Sequence, residues 1–137
     1  MTRDEFQILA GERIRDAEAL INAGRWSGAY YLSGYAVEFA LKACIAKLTR
    51  EHDFPDAKFA QKVFTHDNEA LLRAAGLDND RDAAAQTDSA FADNWLLLKD
   101  WNEAARYREW SESQARNLYR AVIDASNGIL PWITRRW

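Results

Sequence analysis

Trp26-Ser27-Gly28-Ala29-Tyr30-Tyr31-Leu32-Ser33-Gly34-Tyr35-Ala36-Val37-Glu38-Phe39-Ala40-Leu41-Lys42-Ala43 is the stretch on which the fold turns. Its first half shows no polar side at a helical period, and a helix apolar all round belongs in the middle of a bundle. The pattern predicts this helix over residues 27–50. Gly28, Ala29, Ser33, Gly34, Ala36, Ala40 and Ala43 are small enough to admit close neighbours. The two glycines cost helix propensity of about 1 kcal/mol each, so tight packing has to offset them. Glu38 and Lys42 break the apolar run at a spacing of i, i+4, acid first, which is the favourable order for a pair.

The flanks supply elements to surround this helix. Upstream, Thr2-x-x-Glu5 is a capping box. Phe6, Leu9, Ala10, Ile14, Ala17, Leu20 and Ile21 then recur on one helical face, and Gly24 supplies a stop. Downstream, residues 51–65 read as a connector containing Pro55, with a short helical piece at 57–64. Thr65 is placed to cap a helix over 66–75, closed by Gly76. A polar, Asp-rich loop leads to a helix over 83–98 with Ala84, Phe91, Trp95 and Leu98 on one side. Residues 100–110 carry no period but are dense in rings and arginines. Ser111-x-x-Gln114 opens a last helix running through Ile129, which Pro131 bends or ends. The sum is an all-α fold: one domain over residues 1–137, an up-and-down bundle of four to five helices with helix 2 buried at its centre.

Composition narrows the function classes. Net charge is −3, so no overall basic field advertises nucleic acid. Residues 101–137 nevertheless hold six Arg against four acids, a local balance of +2. Cys44 is the single cysteine and lies in the apolar run, where it reads as a small hydrophobe in a reducing cytoplasm. The acidic N-terminus does not resemble a targeting peptide, and Glu38 with Lys42 argues against a membrane span. Two histidines and one cysteine stand at no metal-ligand spacing, so neither metal nor cofactor is expected.

The run from Arg25 to Ala43 closely resembles the second-helix signature of prokaryotic HEPN domains. Thr65-His66-Asp67 with Leu71-Leu72 is similar to a second stretch of that family, and Ala105-Arg106-Tyr107 to a third. The resemblance implies a helical bundle that forms dimers and is often encoded beside a minimal nucleotidyltransferase. Its members range from ribonucleases to inactive domains that bind ligands or partners. The ribonucleases carry Arg, four to six residues, then His. Here Arg50 stands only two residues before His52, positions 59–62 hold no Arg ahead of His66, and no His follows Arg106. The resemblance therefore implies a non-catalytic module.

Three constellations remain as candidates, each with a structural alternative. Glu38 and Lys42 mark either a cleft that meets a polar ligand or a structural pair at the core's edge. His66 and Asp67 open a helix, either as an anion or acid–base site or as a simple cap. Arg106 and Tyr107, beside Arg108 and Trp110, combine guanidinium charge with ring faces, as nucleotide or single-stranded RNA binding does. Alternatively Trp101, Tyr107 and Trp110 plug the bundle while the arginines pair with acids. Arg25 and Tyr31 complete the expected ligand-binding set. Two functions from different classes follow. One is a homodimeric binding module for a nucleotidyltransferase, a nucleotide or RNA, its dimer drawing on the aromatic excess at 95–110, Trp132 and Trp137. The other is a divergent ribonuclease using His66 with Arg106 or Arg25.

Overall fold

The computed structural model describes residues 1–49, 60–61 and 63–137. The expected helical piece at 57–64 lies largely outside the described residues, as do Arg50 and His52. Seven helices are described: α1 (Arg3–Asn22), α2 (Trp26–Leu48), α3 (Asn68–Ala74), α4 (Asp78–Thr87), α5 (Ser89–Lys99), α6 (Glu112–Ile123) and α7 (Ile129–Thr134). A 3₁₀ turn at Glu103–Tyr107 joins α5 to α6. No strand occurs among the described residues. The fold is all-α.

α1, α3, α6, α7 and the 3₁₀ turn all pack on α2. From Trp26 to Ala46 no position of α2 is exposed. The least covered side is a strip of half-buried residues at Tyr31, Tyr35, Phe39, Lys42 and Ala46, one face at i, i+4, i+8, i+11 and i+15. α1 runs along α2, with Leu20 against Gly28 and Phe6 against Phe39. Its capping box forms as the sequence requires, with Thr2 Oγ1 accepting from Glu5 N and Glu5 Oε2 accepting from Thr2 N. All seven residues of its predicted face are buried or half-buried, whereas Ile8 on the far side is exposed. Gly24 takes φ +70° and lets Arg25 N close back on Leu20 O, which ends α1 without a Cβ penalty.

Three element boundaries differ from the sequence reading. The Asp-rich segment is helix α4 rather than loop; Asp78 and Asp80 sit in its first turn, where acids complement the helix dipole. The expected helix at 83–98 is cut at Asp88, whose carboxylate caps α5 by accepting from Phe91 N and takes a further bond from Asn127 Nδ2. The last helix is likewise cut at Asp124, which accepts from Ser126 N and Asn127 N. Pro131 therefore ends nothing. It occupies the third position of α7, in the first turn, where its missing N–H has no intrahelical partner to lose.

The close approaches reserved by the small residues of α2 are used by different neighbours. At Gly28 the neighbour is Leu20 of α1. At Gly34 it is the indole of Trp101: a Cβ there would fall 2.3 Å from the ring. The same indole donates from Nε1 to Tyr31 O at 3.1 Å. Trp110 adds a second pin, with its ring stacked on Tyr30 at 3.7 Å and its backbone N donating to Ser27 Oγ. Residues 100–110 are thus clamped on the N-terminal half of α2 by two tryptophans. Burial pushes the Tyr30 hydroxyl up to about 12.

Alanine is the better helix former by about 1 kcal/mol, yet Gly34→Ala should still cost about 1–3 kcal/mol net, because its methyl has to displace Trp101. Denaturant unfolding and tryptophan emission check this; an unchanged midpoint and spectrum would contradict the contact. Cys44 is 4% exposed, its Sγ against Ile133 O, and burial pushes its thiol up to about 11. An aromatic disulfide reagent at pH 8 should leave the native thiol untouched and titrate it only after unfolding.

Candidate functional site

Glu38 is fully buried on α2. A lone carboxylate in such a place costs several kcal/mol, roughly, unless cations and donors surround it. Lys42, one turn on, places Nζ 2.8 Å from Oε1. His66, brought in from the segment before α3, places Nδ1 2.9 Å from Oε1 and 3.1 Å from Oε2. That contact assigns the ring proton to Nδ1, donating to the carboxylate. Nε2 then faces outward, 3.5 Å from Glu103 Oε2 in the 3₁₀ turn. Glu103 in turn lies 3.4 Å from the Arg106 guanidinium, which donates to the Tyr107 hydroxyl at 2.7 Å and stacks over its ring at 4.7 Å. A chain of polar contacts runs from the core to the surface: Lys42, Glu38, His66, Glu103, Arg106, Tyr107.

Tyr31, Tyr35 and Trp101 wall this chain. Tyr31 stacks on Trp101, and Tyr35 packs edge-on against the same ring, 6.3 Å from the His66 imidazole. Burial first, then the nearby Glu38 carboxylate, holds the Tyr35 hydroxyl above its usual range. The Tyr107 hydroxyl, with Tyr31 and Glu103 adding to it, likewise holds Arg106 above its usual range. An open hollow of about 590 Å³ lies beside the chain, lined among others by Phe64, His66, Lys99, Trp101, Asn102 and Glu103. Phe64 and Tyr107 are 83% and 76% exposed, the two large rings in this region that the core does not house.

The structure therefore gathers Tyr31, Glu38, Lys42, His66, Arg106 and Tyr107 from the expected set. Two members differ. Arg25 is exposed at the start of α2, thirteen residues before Glu38, about 20 Å away at the helical rise. Asp67, not Thr65, is the N-cap of α3; its Oδ1 accepts from Glu69 N and Ala70 N. Thr65 instead turns the chain by accepting from Asp67 N. His66 thus precedes the helix rather than sitting in its first turn, and the N–H groups offered to an anion are taken by Asp67. Sequence reasoning missed Glu103, which joins His66 to Arg106. Its spacing to Arg106, i, i+3, was a usable signal, but its approach to His66 is a tertiary fact.

His66 and Arg106, the residues of the ribonuclease alternative, do meet at Glu103, although Arg106 is not among the residues lining the hollow. The tryptophans expected to feed a dimer surface are mostly housed within the chain: Trp95, Trp101 and Trp132 are 4–5% exposed, and Trp110 and Trp137 are half-buried.

The HEPN domain family model matches residues 9–136, so the chain belongs to the HEPN family. Neither the curated proteins nor the solved structures yield a match. No helix among the described residues is long and apolar enough to cross a membrane.

Removing the carboxylate while keeping His66 and Lys42 leaves two donors facing an emptied core position. Glu38→Ala should cost about 3–5 kcal/mol, the range for breaking a buried ion pair from one side. Glu38→Gln, which keeps an acceptor, should lose less. A Glu38→Ala unfolding midpoint equal to wild type would rule the buried pair out.

Proposed function

We propose that this HEPN domain is a non-catalytic binding module that acts as a homodimer and takes a nucleotide or RNA segment, with a minimal nucleotidyltransferase as its protein partner. One observation carries the reading. The groups that could do acid–base chemistry are already engaged by neighbouring side chains, while groups suited to binding stand exposed. His66 spends Nδ1 on a fully buried carboxylate and turns Nε2 toward a second carboxylate. Arg106 is spent on Glu103 and Tyr107. Phe64 and Lys99 are exposed at the hollow, and Tyr107 is exposed at the outer end of the polar chain. Rings plus a cation are what base stacking and phosphate contact require. The missing Arg-x(4–6)-His spacing agrees with this reading.

The homodimer draws support from the half-buried strip Tyr31, Tyr35 and Phe39 on α2, because HEPN domains commonly dimerise. The nucleotidyltransferase partner rests on family membership alone. The meeting of His66 and Arg106 at Glu103 favours one other reading, a divergent metal-independent ribonuclease.

Single-stranded RNA oligonucleotides separate the two. The chain should bind them and leave them uncut in the presence of chelator, and Tyr107→Ala should weaken binding by about tenfold, the worth of one stacked base. Cleavage abolished by His66→Gln would establish the ribonuclease instead. Light scattering at micromolar concentration should give twice the chain mass; a monomer would refute the dimer.

A further inference from the structure

Along the polar chain from Lys42 to Arg106 the fixed charges cancel. Glu38 and Glu103 are negative, Lys42 and Arg106 positive. The hollow beside them adds Asp67 and Lys99, which cancel in turn. Among the described residues of this site, His66 alone is left to set its sign, and it belongs to both the chain and the hollow. Tyr35 of α2 also lies against the imidazole, but its hydroxyl is held above its usual range by burial and stays neutral near pH 7. Histidine is the side chain whose charge changes near neutral pH. This one is 35% exposed, open enough to exchange a proton with solvent.

The two ring nitrogens have separate roles. Nδ1 keeps its proton in either charge state and donates to Glu38, so protonation leaves the buried contact intact. Only Nε2 changes. In the neutral ring its lone pair faces Glu103 Oε2 at 3.5 Å, acceptor against acceptor. In the imidazolium a donor faces that carboxylate. Glu103 is placed to answer the change. Its carboxylate stands 3.5 Å from Nε2 and 3.4 Å from the Arg106 guanidinium, both longer than a charge-assisted bond of about 2.8 Å. A proton on Nε2 draws Glu103 toward the imidazole and away from Arg106. The guanidinium is then left 43% exposed over the Tyr107 ring, with its acid withdrawn.

We infer that His66 is a charge switch: its protonation makes the site net positive and hands Arg106 over to an anionic ligand, so that RNA binding strengthens as pH falls. This rests on the nucleotide or RNA reading above and adds its regulation.

An oligouridylate without terminal phosphates keeps a constant charge between pH 6 and pH 8, so any pH dependence of its binding belongs to the protein. The full chain should bind it about tenfold tighter at pH 6 than at pH 8, the worth of one charge-assisted hydrogen bond. His66→Gln, whose amide can still donate to Glu38, should flatten that profile. His52→Gln, at the other histidine, should leave it unchanged. Glu103→Gln removes one negative charge without a proton, so at pH 8 it should bind as tightly as wild type does at pH 6. It keeps the Glu38–His66 contact and stands in if His66→Gln does not fold. Side-chain NMR without RNA gives a second readout: the Arg106 Nε–H signal should shift with the His66 ring at one common midpoint. Equal binding at the two pH values, or an Arg106 signal indifferent to His66, would overturn the switch and leave the RNA reading intact. Failure to bind RNA at either pH would overturn that reading, and the switch would then stand or fall with the Arg106 signal.

Discussion

A carboxylate with no access to solvent sits at the centre of the α2 helix, and the arrangement around it follows from that constraint. Burying Glu38 alone would cost several kcal/mol, roughly, so its position is tolerable only with donors at hand. Lys42 is supplied by the helix itself, one turn on, at a spacing that brings an ammonium back over the acid. His66 has to be supplied by tertiary structure, from twenty-eight residues away. Holding His66 there fixes where the chain enters α3. It also presents the far side of the imidazole to the 3₁₀ turn. A core electrostatic requirement is thereby converted into a surface geometry.

The second constraint is steric and works from the opposite partner. Gly34 leaves a flat bay on α2 that only a helix lacking a Cβ can offer, and the Trp101 ring fills it. With Trp110 stacked on Tyr30, two rings fasten a segment that has little regular structure of its own. Glu103 and Arg106 are carried on that segment, so their positions are as firm as the two ring contacts. The hollow lies where the electrostatic and the steric devices meet, between His66 and Trp101. Sites built between rigid pins are those in which a few exposed side chains can be placed accurately.

Much of this was legible in the sequence because it is local. The two capping boxes, the apolar face of α1, the stop at Gly24 and the enclosed α2 each depend on residues within one or two turns, and each stands as read. The helix breaks at Asp88 and Asp124 were not legible. Their flanks keep an apolar period through the break; Asp88 takes a bond from Asn127 Nδ2, thirty-nine residues on, whereas Asp124 turns the chain locally by accepting from Asn127 N. α4 was hidden for a related reason: Asp is a poor residue mid-helix but a good one in a first turn, so its placement decides its meaning. For the site, the sequence showed which residues had chemistry to offer but not which met. Glu38 with Lys42 is an in-helix spacing and was readable. Glu38 with His66, and His66 with Glu103, join different elements. Arg25 failed for the same reason, its likeness to a site residue being compositional and its place on α2 remote from Glu38.

The account stands or falls on the coupling between Glu38 and His66. A double-mutant cycle with Glu38→Gln, His66→Gln and the double variant, followed by denaturant unfolding, measures it directly. Residues in one buried polar network should show an interaction energy of about 1–3 kcal/mol. Additive losses would mean that the carboxylate and the imidazole do not hold each other, and the route from core to surface would be broken at its first joint.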